Sequence, residues 1–120
     1  AAGVRDRELV ARFRELVESG FRRHVGVARY AQALQTSESR LLRACAAVTG
    51  DSPLELVHLR LLIEAERQLR YTSMSVAQIA YYLGFEDPAY FSRFFTRRMG
   101  FSPRAFRRRD ALTILEPTPP

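Results

Sequence analysis

The sequence predicts an all-α protein of seven helices: two helix-turn-helix subdomains joined by a long linker helix. Three observations predict it. Apolar residues recur at helical spacing along the chain, while period-2 alternation, β-branched runs and Asn-Gly hairpin turns are scarce. Helix-start residues stand before the periodic segments, and glycines follow several of them. Residues 28–56 align with residues 77–106, so one helix-turn-helix arrangement is written twice.

The first helix is read from a stripe of Leu9, Phe13, Leu16 and Val17, with Asp6 as its cap. A second spans about Val27 to Leu34. After the break "QTS", Ser37 caps a third, which runs to Thr49 and stops at Gly50. The fourth opens on "SPLE", with Ser52 as N-cap, Pro53 in the first turn and Glu55 completing a capping box. It has two apolar stripes, Leu54, His58, Leu61, Ala65 and Leu69 on one side and Leu56, Leu59 and Ile63 on another. Two apolar faces suit a helix packed between two partners, with His58 a packed histidine. Ser75 and Gln78 make a second capping box for a helix to Leu83, ended by Gly84. Asp87-Pro88 starts the sixth, to Met99, with Gly100 as its stop, and Ser102-Pro103 starts a short seventh to about Arg109. The segments are therefore 1–51 for the first subdomain, 52–72 for the linker helix, 73–110 for the second subdomain, and 111–120 for a frayed tail.

With 120 residues, 47% of them apolar, the chain can bury a core for one domain or two small subdomains. All nineteen basic residues are Arg, and the net charge is +6. From Arg93 to Arg109 there are seven arginines and no acid, which suits an anionic partner. A single cysteine, Cys45, leaves no disulfide framework within the chain, and His24 and His58 stand at no metal-ligand spacing. Paired carboxylates, a Ser/His/Asp set and a phosphate-cradling glycine loop are all missing from the pattern. The expectation is a non-enzyme with no cofactor and no metal, working off the membrane in the cytoplasm. The chain begins "AAGV" without Met, as expected of a piece of something longer.

Within the repeat, Ala31 matches Ala80, Leu34 matches Leu83, Leu41 matches Phe91, Arg43 matches Arg93 and Cys45 matches Phe95. Gly50 matches Gly100 and Ser52-Pro53 matches Ser102-Pro103. The offset is 49 before the turn and 50 after it, so the second copy has one extra turn residue. Small Ala31 and Ala80 permit two helices to cross closely. The run "IAYYLGFEDPAYFSRFFTRRMGFSPRAFR" resembles the signature of the AraC/XylS-type bacterial transcription regulators in their DNA-binding domain. "SESRLLRACAAVTGDSPLELV" and "RLLIEAERQL" are similar to the family's first copy and linker helix, so the resemblance covers about residues 6 to 109. Cys45 departs from it, standing where a larger aromatic is expected.

The resemblance implies a transcription factor, an activator among its kind, whose two recognition helices enter successive major grooves of double-stranded promoter DNA. A linker of roughly 27 Å is long enough to help set two readers about one DNA turn apart, near 34 Å. It implies RNA polymerase as a further partner, a domain that is monomeric by itself, and dimerisation through a separate sensor domain.

Helical arithmetic then picks the outward faces. With Phe91 and Phe95 inward, Ala89, Ser92, Arg93 and Thr96 project oppositely. With Leu41 and Cys45 inward, Ser39, Leu42, Arg43 and Ala46 do the same. Base contact is expected from Ser39, Leu42, Arg43, Ala89, Ser92, Arg93 and Thr96, with Arg43 and Arg93 suited to bidentate bonding with guanine. Phosphate contact is expected from Arg97, Arg104, Arg107 and Arg108, and from the helix starts at Ser75 and Ser102. Arg98 matches Val48 and is set nearer the core. Arg60 reads as half of a structural ion pair, with Glu64 within reach. Phe85, Phe91 and Phe95 read as core by their spacing, and Tyr81, Tyr82 and Tyr90 as core rim or phosphate edge. The alternative reading is a basic helical module that docks an acidic partner protein.

Overall fold

The computed structural model describes residues 2–115, with side chains through residue 111. Seven α-helices make up the described chain: α1 (Val4–Gly20), α2 (Val27–Ala33), α3 (Glu38–Thr49), α4 (Pro53–Tyr71), α5 (Val76–Tyr82), α6 (Pro88–Met99) and α7 (Pro103–Leu115). A 3-10 turn, Phe21–Arg23, follows α1. The chain divides inside α4 into two compact units, Ala1–Leu61 and Leu62–Pro120.

In the first unit α1 and α2 both pack on α3. The core is built from Leu9, Val10, Phe13 and Val17 of α1, Tyr30 and Ala31 of α2, and Leu41, Ala44 and Cys45 of α3. Phe13 meets Tyr30 edge to face at 5.3 Å. In the second unit α5 and α7 pack on α6. Its core is more aromatic: Phe91 and Phe95 are fully buried, and Phe95 sits 5.6 Å from Phe106 in a T-shaped pair.

The two copies match down to their backbone hydrogen bonds. Each turn closes as a Schellman motif. In the first, Thr36 N–H donates to Ala31 O and Gln35 N–H to Gln32 O, both at 3.0 Å. In the second, Phe85 N–H donates to Ala80 O and Gly84 N–H to Tyr81 O, both at 3.0 Å. The motif needs a left-handed residue just past the helix. Gly84 takes it at φ 90° and Gln35 at φ 56°. Gly50 and Gly100 end α3 and α6 at φ 81° and 86°. Caps repeat as well: Ser52 Oγ accepts from Glu55 N–H at 3.1 Å, and Ser102 Oγ from Ala105 N–H at 3.0 Å. Pro53 and Pro103 behind them are both fully buried.

Four local readings need correction. Asp6 is not the cap of α1, because Gly3 starts the helix. Asp6 lies in the first turn, where its carboxylate accepts from Gly3 N–H at 3.3 Å and pairs with Arg40. The second apolar stripe of α4 is covered only at Leu56: Leu59 is 38% and Ile63 60% exposed, and Leu54 at the helix start is also exposed. α7 runs past Arg109 to Leu115, since no Gly or Pro interrupts it before Pro117. The part of the expected frayed tail at 116–120 lies outside the described residues. Arg98 is exposed, not core-side, and its guanidinium lies 5.7 Å from the Phe94 ring.

Candidate nucleic-acid interface

α6 is anchored at both ends before it presents anything outward. Asp87 Oδ1 accepts from Ala89 N–H at 2.9 Å, Pro88 fills the first turn, and Gly100 closes the helix. Phe91 and Phe95 hold its inner face. Ala89, Arg93 and Thr96 are then exposed and Ser92 half-buried. α3 is held the same way: Ser37 Oγ accepts from Arg40 N–H at 3.0 Å, and Leu41 and Cys45 are fully buried. Ser39, Leu42, Arg43 and Ala46 face solvent, with Leu42 51% exposed. Burial pushes the Cys45 thiol up from its ordinary value, so it stays a small protonated core group.

Several arginines are held by protein groups. Arg40 is tied to Asp6. Arg60 donates to Glu18 at 2.7 and 3.0 Å and lies 4.3 Å over the Phe21 ring. It is thus in an ion pair, as expected, and the acid is Glu18, 42 residues upstream. Arg70 Nε donates to Asp110 at 2.9 Å. Arg107 donates through Nε to Leu69 O at 3.0 Å and through Nη2 to Thr72 O at 3.3 Å, which caps the C-terminal carbonyls of α4. That is a structural use of a guanidinium the sequence reading gave to phosphate. By contrast, no carboxylate pairs with Arg43, Arg93, Arg97, Arg104 or Arg108 among the described residues. Four of these five lie in α6 or α7.

Ser75 is engaged in its reciprocal cap: its Oγ accepts from Gln78 N–H at 3.0 Å and its own N–H donates to Gln78 Oε1 at 2.8 Å. Of the tyrosines, Tyr90 is 58% and Tyr81 59% exposed, and Tyr82 is half-buried. Tyr90 stacks obliquely on Phe85 at 5.9 Å and takes the Arg93 guanidinium 5.9 Å from its ring. The sequence reading missed this coupling of Tyr90 to Arg93, although their i, i+3 spacing signals it. It also missed the Arg40–Asp6 pair, which no local spacing announces.

A helix-turn-helix domain family model matches residues 30–109. The chain belongs to the AraC/XylS-type helix-turn-helix family. Among curated relatives, this AraC-type domain is 36% identical over 96 residues to an HTH-type transcriptional activator RhaS from Enterobacter sp. (strain 638), covering 79% of this chain and 34% of that protein. It is 43% identical over 65 residues to the MmsAB operon regulatory protein of Pseudomonas aeruginosa, covering 52% of this chain and 20% of that one. The chain thus spans about a third or less of the length of these relatives. Among solved structures, the C-terminal domain of the response regulator AraT from Geobacillus stearothermophilus superposes with TM-score 0.79 at 28% identity, covering 83% of this chain and 84% of that one. The DNA-binding domain of the global transcriptional factor AdpA, solved in complex with a target DNA, superposes with TM-score 0.72 at 27% identity over 85% of this chain and 88% of its own. No described helix of the AraC-type domain is long and apolar enough to cross a membrane.

Proposed function

We propose that the chain binds double-stranded promoter DNA with sequence preference and so regulates transcription, each unit offering one reader, α3 or α6, to a major groove. The observation that carries the reading is the build of α3 and α6: each is capped and buried along its inner side, and Arg43, Arg93 and Arg97 stand exposed on the outer side with no carboxylate partner among the described residues. Base contact falls to Ser39, Leu42, Arg43, Ala89, Ser92, Arg93 and Thr96. Phosphate contact falls to Arg97, Arg104 and Arg108 and to backbone amides at the helix starts after Ser75 and Ser102. Arg107 is left to its helix-capping role. The activator names of the relatives and the target DNA in the AdpA structure support the same reading. In this reading the protein is not an enzyme and works in the bacterial cytoplasm. A single copy suffices for a site because one chain holds two readers, and RNA polymerase is the further partner that an activator requires.

The test is fluorescence anisotropy with a promoter fragment selected from genomic DNA, run across a salt series beside a scrambled fragment. Binding should favour the selected fragment and weaken steeply with salt. Arg93→Ala should cost about 1–3 kcal/mol and relax preference at one base pair. Arg97→Ala should weaken both fragments alike and lower the salt slope by about one. Equal affinity for both fragments with a flat salt response would overturn the proposal, and tight capture of an acidic protein instead would favour the docking module.

A further inference from the structure

α6 brings an aromatic ring and a guanidinium together outside the core. Tyr90 is 58% exposed, and Arg93, three residues on, carries its guanidinium carbon 5.9 Å from the centre of the Tyr90 ring. The ring is itself seated. It packs on Phe85 at 5.9 Å, and Phe85 is buried, with Phe91 5.3 Å and Phe94 5.6 Å from it. No carboxylate pairs with Arg93 among the described residues, so the ring is what restrains its guanidinium. The first copy is built without such a ring. Arg40 stands at the place of Tyr90 and is tied to Asp6, and Arg43 has no ring contact among the described residues. The repeated scaffold therefore does not require an aromatic at this position.

An exposed arginine samples many rotamers, and ordering it on binding costs affinity. Attraction between a guanidinium and a ring face narrows that set beforehand. A guanidinium held in one place offers its paired donors to O6 and N7 of guanine, and a base edge that presents a donor there is refused. A free guanidinium can turn to a phosphate instead, which gains affinity but no choice of base. We propose that Tyr90 is a positioning residue for base recognition: it holds the Arg93 guanidinium ready for a guanine edge and so sharpens the choice of base, without itself contacting DNA. This role rests on the proposed reading of α6 as a DNA reader.

The experiment has one arm without DNA and one with it. In the free whole chain, NMR should show the Arg93 Hδ resonances moved upfield by the ring current, an effect kept in Tyr90→Phe and lost in Tyr90→Leu. Anisotropy is then measured on the selected fragment and on fragments changed at the base pair whose preference Arg93→Ala relaxes. Tyr90→Leu should lower discrimination at that pair roughly three- to tenfold, the scale of ordering one long side chain. Its affinity for the scrambled fragment and its salt slope should stay as in the wild type. Tyr90→Phe keeps the ring and should keep the discrimination. Tyr90→Leu added to Arg93→Ala should change nothing further. Circular dichroism should show each variant folded, and Tyr90→Gln is a second ring-less variant with the same expectation should Tyr90→Leu unfold. Full discrimination in the ring-less variant, or a further loss in the double variant, would overturn the role. A loss in Tyr90→Phe as large as in Tyr90→Leu would do so too, by making the hydroxyl a DNA contact. Unshifted Arg93 resonances would overturn it while leaving the DNA reading intact. A wild-type chain that cannot tell the selected fragment from the scrambled one fails the DNA reading itself, and the role falls with it even where the resonances are shifted.

Discussion

Gln35 occupies, at φ 56°, the place that Gly84 holds at φ 90° in the second copy. Left-handed backbone costs a residue with a Cβ about 1–2 kcal/mol. Gln35→Gly removes that cost. It also gives the unfolded chain more freedom, which takes back about 0.5–1 kcal/mol. The Gln35 side chain is exposed and makes no hydrogen bond or ion pair among the described residues, so nothing else is lost. The expected net is a gain of about 0.5–1 kcal/mol. Gly50→Ala and Gly100→Ala run the same arithmetic backwards. Each has φ above 80°, and an added Cβ would meet no atom within 4 Å, so strain is the only cost. Each should lose about 1 kcal/mol. Urea unfolding followed by circular dichroism reads these changes as midpoint shifts of roughly 0.3–0.5 M at unchanged slope. A lowered midpoint for Gln35→Gly, or no loss for Gly100→Ala, would show that turn strain is not what separates the two copies.

Other expectations follow from single contacts. Phe95→Ala removes a fully buried ring that meets Phe91 at 6.0 Å and Phe106 at 5.6 Å, and should cost about 3–5 kcal/mol by urea unfolding, whereas Cys45→Ala at the matching place should cost far less. Arg107→Ala should lower the melting temperature by uncapping α4 while leaving the salt slope of DNA binding unchanged; a slope reduced by one would return Arg107 to the phosphates. Hydrogen bonds from Arg40 hold Asp6 below its ordinary 3.8, and bonds from Arg60 hold Glu18 below 4.5. Both carboxylates are lowered by folding, so their contribution is full above those ordinary values and is lost as pH falls through the lowered ones. Thermal melts from pH 7 to 2 should therefore show an acid limb that is shallower in Asp6→Asn; an identical limb would remove Asp6 from the account.

Much of the fold is legible because it is written in local signals. Asp87-Pro88, Ser102-Pro103 and the glycines at 50 and 100 each fix a helix end through their own backbone chemistry, so they can be read one at a time. Gln35 was not legible as a left-handed residue, because there the motif's hydrogen bonds decide the conformation and the side chain merely tolerates it. The exposed stripe of Leu59 and Ile63 was misread for a related reason: periodicity says which residues share a face, not whether anything covers it. At the interface, the outward direction of Arg43, Ala89 and Arg93 follows from rotation about the helix axis. The partner of Arg60 and the role of Arg107 do not, since the groups they bond lie 42 and 38 residues away and only the folded chain brings them together.

The two copies share a scaffold but not a surface. Turn bonds, the Ser52 and Ser102 caps, the buried prolines and the left-handed stops recur, while the outward residues diverge. Ala47 and Val48 in α3 stand where α6 has Arg97 and Arg98, and Arg40, tied to Asp6, stands where α6 has Tyr90. α6 therefore carries three arginines on its exposed surface, against one in α3, Arg43, that has no acidic partner among the described residues. Phosphate attraction scales with such charges, whereas base readout needs only one well-placed donor. If both helices meet DNA, the second unit supplies most of the salt-dependent affinity, and the first contributes chiefly through Arg43 and apolar Leu42. Arg43→Ala should then change sequence preference with little change in salt slope, and Arg97→Ala should do the reverse. A salt slope equally sensitive to both would mean that the two faces work alike despite their different charge.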